Sequence, residues 1–357
     1  YTDVPVLGAL AEDACLALAE RHLGLLPCAE HAGAADWVTE VAKVVAAQVD
    51  LVRVRALAAP ATPLPAGAAS EPDPDARGRH VAAARPAATP WPIESPPRSV
   101  GLLREARVRI GIAHDKAFGF YYADDLEALR AGGAELVRID TLHDQRLPAL
   151  DGLFIGGGFP ETCLDALEDN PALRGALRNA IEGGLPTYAE CGGLMLLSRS
   201  IRWRDHAAEM VGVIPGDAVM HERPVGRGYV QLVETDAMPW PAGVAAGATG
   251  PEVVRAHEFH YASLEGLPPG QRFAWQVQRG HGIDGEHDGL VVHNLLASFS
   301  HLRNGAGARW VDRFLAHVDR VRAGTDRPWA GSRGSASAQP AAREAHLRLV
   351  SARAPAA

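Results

Sequence analysis

Lysine is almost missing from this 357-residue chain: Lys43 and Lys116 are the two it has. Neither follows the glycines of a GxxxxGK[ST] loop, so these residues contain no loop of the kind that cradles nucleotide phosphates. Cysteine is sparse as well. Cys15, Cys28, Cys163 and Cys191 stand at long, irregular spacings without a CxxC pair, in a chain large enough not to need disulfide staples. Free thiols in a reducing, cytoplasmic setting are expected. No apolar run reaches the roughly 18 to 20 residues that would span a bilayer, and the start lacks the charged-then-apolar order of a signal peptide. A membrane is therefore not an expected partner. Positive charge is also in deficit, with 35 basic against 43 acidic side chains and a formal net charge of -8. Because the basic residues are scattered, nucleic acid is not an expected partner either.

What is present is an ordinary globular composition, 47% hydrophobic, with room for about two domains. The run 4–10, VPVLGAL, reads as a buried strand, and 35–54 places Trp37, Val38, Val41, Val44, Val45 and Val49 near helical spacing. Residues 58–106 turn to alanine, proline and charge, which cannot bury enough apolar surface to offset chain entropy; a disordered linker is expected there. Beyond it, strands (108–113, 136–140, 147–158, 185–190) alternate with helices (121–135, 170–184, 192–201). Pro171 stands at the start of the second helix and Gly183 and Gly184 at its end. The alternation predicts an α/β fold with a parallel sheet covered on both faces. Strand-rich runs at 228–235, 252–264, 272–279 and 289–299 follow, then a helix over 307–323 and a polar tail over 324–357, expected to be disordered.

The stretch 186–196, PTYAECGGLML, puts Cys191 where a strand turns into a helix. Catalytic groups collect at such carboxyl ends of parallel strands, and a helix start favours an anionic sulfur. Gly192 and Gly193 allow a substrate to approach the backbone. A second glycine turn, FIGGGFPE at 154–161, ends the preceding strand and offers N–H groups to a developing oxyanion. A thiol nucleophile needs a base, and fifteen histidines are available. The run 288–303 carries His293 and His301, which spacing does not separate. His257 and His260 in AHEFH are three apart in a strand-like run, not four apart on a helix as in HExxH, so no metal is expected there.

Five motifs, HDKAFGFYYADDLEALRAGGAELVRI, DGLFIGGGFPE, PTYAECGGLMLL, AHEFHYAS and ASFSHLR, together resemble the glutamine amidotransferase half of the cobyrinic acid a,c-diamide synthase family, which includes hydrogenobyrinic acid a,c-diamide synthases. VPVLGAL with ERHLGLLP resembles the end of the family's ATP-binding half. The resemblance implies a flavodoxin-like parallel sheet of the class I glutamine amidotransferase kind over 107–323. It also implies a C-terminal remnant of a P-loop-type α/β domain over 1–57, and the chain is expected to be a fragment whose ATP loop precedes Tyr1. It implies a carbon–nitrogen ligase of cobalamin biosynthesis that amidates the a and c carboxylates of cobyrinate or hydrogenobyrinate, using ATP, Mg²⁺ and glutamine. Cys191 would be the nucleophile, His301 the base, and N–H groups near Gly157, Gly158 and Gly192 the oxyanion donors. A second copy of the chain is a further candidate partner.

Two departures from the family's broader class stand out. Arg303 occupies the position, two after the base, where many amidotransferases have an orienting glutamate, and His114 stands where arginine is more frequent. Tyr121 and Tyr122 are expected in the cleft, while Arg21 and His22 are candidates for the tetrapyrrole carboxylates. Two other readings are a cobyric acid synthase-like enzyme acting on other corrin side chains and a non-catalytic amidotransferase-like binding module.

Overall fold

A computed structural model describes residues 4–17, 33–59, 107–241, 253–305 and 309–324. Arg21, His22, Cys28 and nearly all of the expected linker and tail lie outside the described residues. In the first part, 35–54 is helical as its periodicity predicts, but in two pieces, α1 (Ala34–Gln48) and α2 (Leu51–Ala58). The break falls at Val49, whose backbone is extended and bridges Gly8. That bridge is the one element of strand pairing in 4–10, where a buried strand was expected; Val4 and Val6 are exposed. Among the described residues no further strand lies beside this run to cover it.

The rest of the described chain builds a layered α/β unit. Its first half holds β1 (Val108–Ala113), β2 (Phe118–Phe120), α3 (Ala123–Ala131), β3 (Ala134–Ile139), β4 (Gly152–Ile155), β5 (Gly157–Gly158), α4 (Leu164–Glu168), α5 (Pro171–Glu182), β6 (Thr187–Glu190) and α6 (Gly192–Leu197). The second half is mostly strand: β7 (Ser200–Trp203), β8 (His206–Glu209), β9 (Asp217–Met220), β10 (Gly226–Glu234), β11 (Val253–His260), β12 (Ala262–Glu265), β13 (Arg272–Arg279), β14 (His287–Val292), β15 (Leu295–Ser298) and β16 (Ser300–His301). It ends on α7 (Trp310–Arg322).

Local chemistry explains the helices. Asn170 caps α5 by accepting from the Leu173 amide at 3.3 Å, Pro171 follows at the first helical position, and Leu173, Leu177 and Ile181 form the buried stripe. Gly184, at φ 96°, lets the chain turn back into β6. The helix expected over 192–201 stops at Leu197 because the buried Ser198 turns its hydroxyl onto the carbonyls of Met195 (2.6 Å) and Ser200 (2.9 Å), and 200–203 becomes strand.

Ten strands form one sheet in the order β16-β11-β10-β13-β14-β15-β6-β4-β1-β3. From β3 to β15 the pairs are parallel, and in chain order these five strands run 2-1-3-4-5, the doubly wound flavodoxin arrangement. Alternate residues feed two cores. Leu153 and Ile155 of β4 face one beneath α5 and α6, while Phe154, with Ile110 and Tyr188, faces the other beneath α3 and α7.

The strand-rich portion is the second half of the same sheet. β14 pairs antiparallel with β15, and β13, β10 and β11 follow. A single residue, Phe299, separates β15, beside β6, from β16, beside β11. The antiparallel half therefore curls until its free edge returns to the end of the parallel half. A four-stranded sheet (β12-β9-β7-β8) and the β2-β5 ribbon flank that end.

Candidate active site

Cys191 follows β6 directly and has φ 49° and ψ −101°, a conformation an L-residue rarely takes. Such a backbone costs about 1–3 kcal/mol and persists only when its surroundings impose it. Here the Cys191 amide donates to the Ser298 carbonyl of the neighbouring strand (2.7 Å), and its carbonyl accepts from Met195 in the first turn of α6 (3.1 Å). The bend lifts the half-buried sulfur into a cleft of about 400 Å³.

His301 lies on the same cleft as Cys191. Its position comes from a buried fastening. Asp288, fully enclosed, accepts from the amides of Phe299 (3.1 Å) and Ser300 (3.0 Å), and so fixes the crossing from β15 to β16. His293, which spacing could not separate from His301, is at the exposed β14–β15 turn, the opposite end of β15 from Cys191.

Nδ1 of His301 has a partner that sequence reasoning missed. His301 Nδ1 is 3.3 Å from Oε2 of Glu190, whose Oε1 accepts from the Leu302 amide (2.9 Å) and the Tyr188 hydroxyl (2.5 Å). Burial alone would lower the His301 pKa, but the neighbouring Cys191 and Glu190 outweigh it and raise the value to about 10. These neighbours favour the imidazolium form of His301. Arg303 takes no part: it pairs with Asp124 at 2.9 Å and covers the Tyr122 ring.

The glycines of the two turns meet at this point. A Cβ on Gly157 would come within 2.8 Å of His301 Cε1, and one on Gly158 within 2.0 Å of the Ala117 carbonyl oxygen. A Cβ on Gly192 would be 3.0 Å from the Gly158 nitrogen, so the backbones of the two turns are in contact beside the thiol. Tyr121 locks them by donating to the Ala113 carbonyl (2.5 Å) and accepting from the Gly156 amide (3.0 Å). It lines the cleft together with the more exposed Tyr122.

His257 and His260 also line the cleft. His257 is opposite His301 in the β11–β16 ladder, and burial followed by the His301 charge lowers its pKa, keeping it neutral. His260 is a supporting residue, stacked on Phe299 (4.0 Å between centroids) with its Nδ1 bonded to the Ala262 carbonyl (2.7 Å). Among the described residues no group of three or more metal-ligating side chains could hold an ion. His114 and Lys116 lie elsewhere, in a wider cleft of about 860 Å³ beyond the ends of β1 and β3; burial lowers the His114 pKa to about 4. No helix among the described residues is long and apolar enough to cross a membrane.

Comparison with known proteins adds the following. The sequence model of the CobB/CobQ-like glutamine amidotransferase domain matches residues 109–307. A protein of Magnetococcus marinus named cobyrinate a,c-diamide synthase is 40% identical over 328 residues, 92% of this chain and 64% of that protein. One of the same name from Methanosarcina acetivorans is 33% identical over 342 residues, 90% of this chain and 62% of that protein. The chain thus spans somewhat under two thirds of the length of these curated relatives. Among solved structures, PurLQS from Thermotoga maritima shares 13% identity over 60% of this chain and 99% of that one, with a TM-score of 0.46, a likeness too slight to bear on mechanism.

Proposed function

Because the chain belongs to the CobB/CobQ-like glutamine amidotransferase family, we propose that it hydrolyses glutamine at Cys191, with His301 as its base, to supply ammonia for amidation of a corrin. The observation that carries this reading is the strained, half-buried Cys191 facing the same cleft as His301, whose Nδ1 is 3.3 Å from Glu190.

The chemistry follows from the charges. The anionic sulfur attacks the side-chain amide carbon of glutamine, forming a C–S bond and placing negative charge on the amide oxygen. Backbone N–H groups around Gly157, Gly158 and Gly192 are the donors we assign to that oxygen, since the two turns meet beside the thiol. His301 gives its proton to the amide nitrogen as the C–N bond breaks, and ammonia leaves. Water, deprotonated by the now neutral imidazole, then cleaves the thioester to glutamate.

For the whole protein we infer the activity that the names of its relatives carry, amidation of the a and c carboxylates of cobyrinate or its metal-free counterpart, with ATP and Mg²⁺. The residues described here do not fit either group. Lys43 is exposed and paired with Glu40 at 2.7 Å, Lys116 lies in the wider cleft, and no metal-ligating trio exists among the described residues. No step is therefore routed through them. We assign glutamine hydrolysis to residues 107–323 and read 1–57 as the end of the ATP-binding half.

The test is Cys191→Ala in the full-length enzyme. Glutamine-dependent amidation should vanish while amidation from free ammonia persists; loss of both would overturn the assignment of Cys191 to glutamine alone. The mass of the product separates two added amides from the four of a cobyric acid synthase. If a glutamine-mimicking electrophile leaves Cys191 of the folded protein unlabelled, the non-catalytic module is the better reading.

A further inference from the structure

We infer that Glu190, the residue immediately before the nucleophile, positions the base: its carboxylate holds Nδ1–H of His301 and thereby turns Nε2 toward the Cys191 sulfur. The inference rests on the proposed hydrolysis at Cys191 and supplies that site with its third member.

The geometry leaves the carboxylate little freedom. Glu190 is 2% exposed. Tyr188 and Glu190 share one face of β6, being two residues apart on a strand, so the tyrosine hydroxyl meets Oε1 directly. The Leu302 amide binds the same oxygen, tying the carboxylate to the residue next to the base. Oε2 is left toward His301 Nδ1. A base whose Nδ1–H is held by a fixed carboxylate keeps one tautomer and one ring orientation, the task the aspartate performs in serine hydrolases. Arg303, at the position where many amidotransferases carry the orienting carboxylate, is turned outward to Asp124.

The groups acting on this pair are few. His301 faces Cys191, Glu190 and, across the β11–β16 ladder, His257. Glu190 also acts on Tyr188, on Tyr121 and Tyr122, and on Asp125 of α3. Asp125 accepts from the Asn304 amide and Trp310, and thus anchors the backbone just after the base rather than the base itself.

The experiment is the pH profile of Cys191 alkylation by iodoacetamide, read by peptide mass mapping, in the parent chain and in Glu190→Gln, alongside glutamine hydrolysis. The substituted amide keeps an oxygen for Leu302, so the backbone anchor survives. The alkaline inflection reporting His301 should fall by more than about one pH unit, since removing a paired charge costs an ionised partner that much. The kcat for glutamine should drop roughly 10²–10⁴-fold with little change in KM, as when a triad carboxylate becomes an amide. A folded Glu190→Gln with the parent's profile and kcat would overturn the inference. Should that variant not fold, proton NMR of the parent decides: a strongly downfield imidazole N–H signal that disappears in His301→Gln is expected, and its absence from the parent overturns the assignment. A parent that shows the His301-linked alkylation profile but hydrolyses no glutamine sinks the substrate reading and leaves Glu190 in its role.

Discussion

The amide of Cys191 donates to the carbonyl of Ser298 at 2.7 Å, so the bend at Cys191 is tied to the strand that leads to His301 three residues later. Cys191 and His301 are in this sense one backbone arrangement, and the variants below separate its parts.

Strain at the bend predicts a stability gain when activity is lost in a particular way. Cys191→Gly removes the Cβ that makes φ 49° costly, whereas Cys191→Ala keeps it. Strain relief of about 1–3 kcal/mol, less about 0.4–1 for the glycine's extra unfolded-state freedom, should leave Cys191→Gly more stable than Cys191→Ala by about 1 kcal/mol. Paired denaturant titrations measure this, and equal midpoints would contradict it.

His301 predicts the sign of one pH dependence. Its pKa is raised in the folded state to about 10, against about 6.5 unfolded. The folded protein thus holds a proton that the unfolded chain releases, and this contribution is complete below about pH 6.5 and lost as pH rises toward 10. Between those limits the stability should fall by up to about 1.4 kcal/mol per pH unit. His301→Gln should flatten that slope; an unchanged slope in a folded His301→Gln would assign the effect to other groups.

The two central glycines should respond differently to a methyl group. In Gly157→Ala the added carbon meets the His301 ring at 2.8 Å, a side chain that can shift. The fold should survive while kcat falls on the order of 10²-fold, the usual scale for about 1 Å of misplacement. In Gly158→Ala the carbon meets the Ala117 carbonyl at 2.0 Å, which is backbone bonded to the Phe159 amide, so the loss should appear in thermal stability.

Arg303→Ala should leave glutamine hydrolysis at the parent rate, because the guanidinium pairs with Asp124 at the surface and not with the base. A large fall in kcat would place Arg303 in the machinery.

How much of this was legible in the sequence follows the range of the interactions. The parallel half could be read because most of its elements carry local start and stop signals, as Pro171 and Gly184 do for α5. The antiparallel half could be read as strands but not as part of the same sheet, since pairing β14 to β15 and β11 to β16 is set by contacts distant in the chain. Cys191 was visible from its glycines and its place after a strand. Glu190 was equally in view, with Tyr188 two residues earlier as the signal, yet its partner His301 is 111 residues away. The run 4–10 was expected to be buried, but among the described residues its only strand partner is Val49.

The passage from β15 through Phe299 to β16 has a consequence for the order in which the site comes together. As the polypeptide leaves the ribosome, Cys191 is made long before His301, and the two share a cleft only once the curled edge has closed. The glutamine hydrolysis proposed for this pair therefore waits on the last fold of the edge strand.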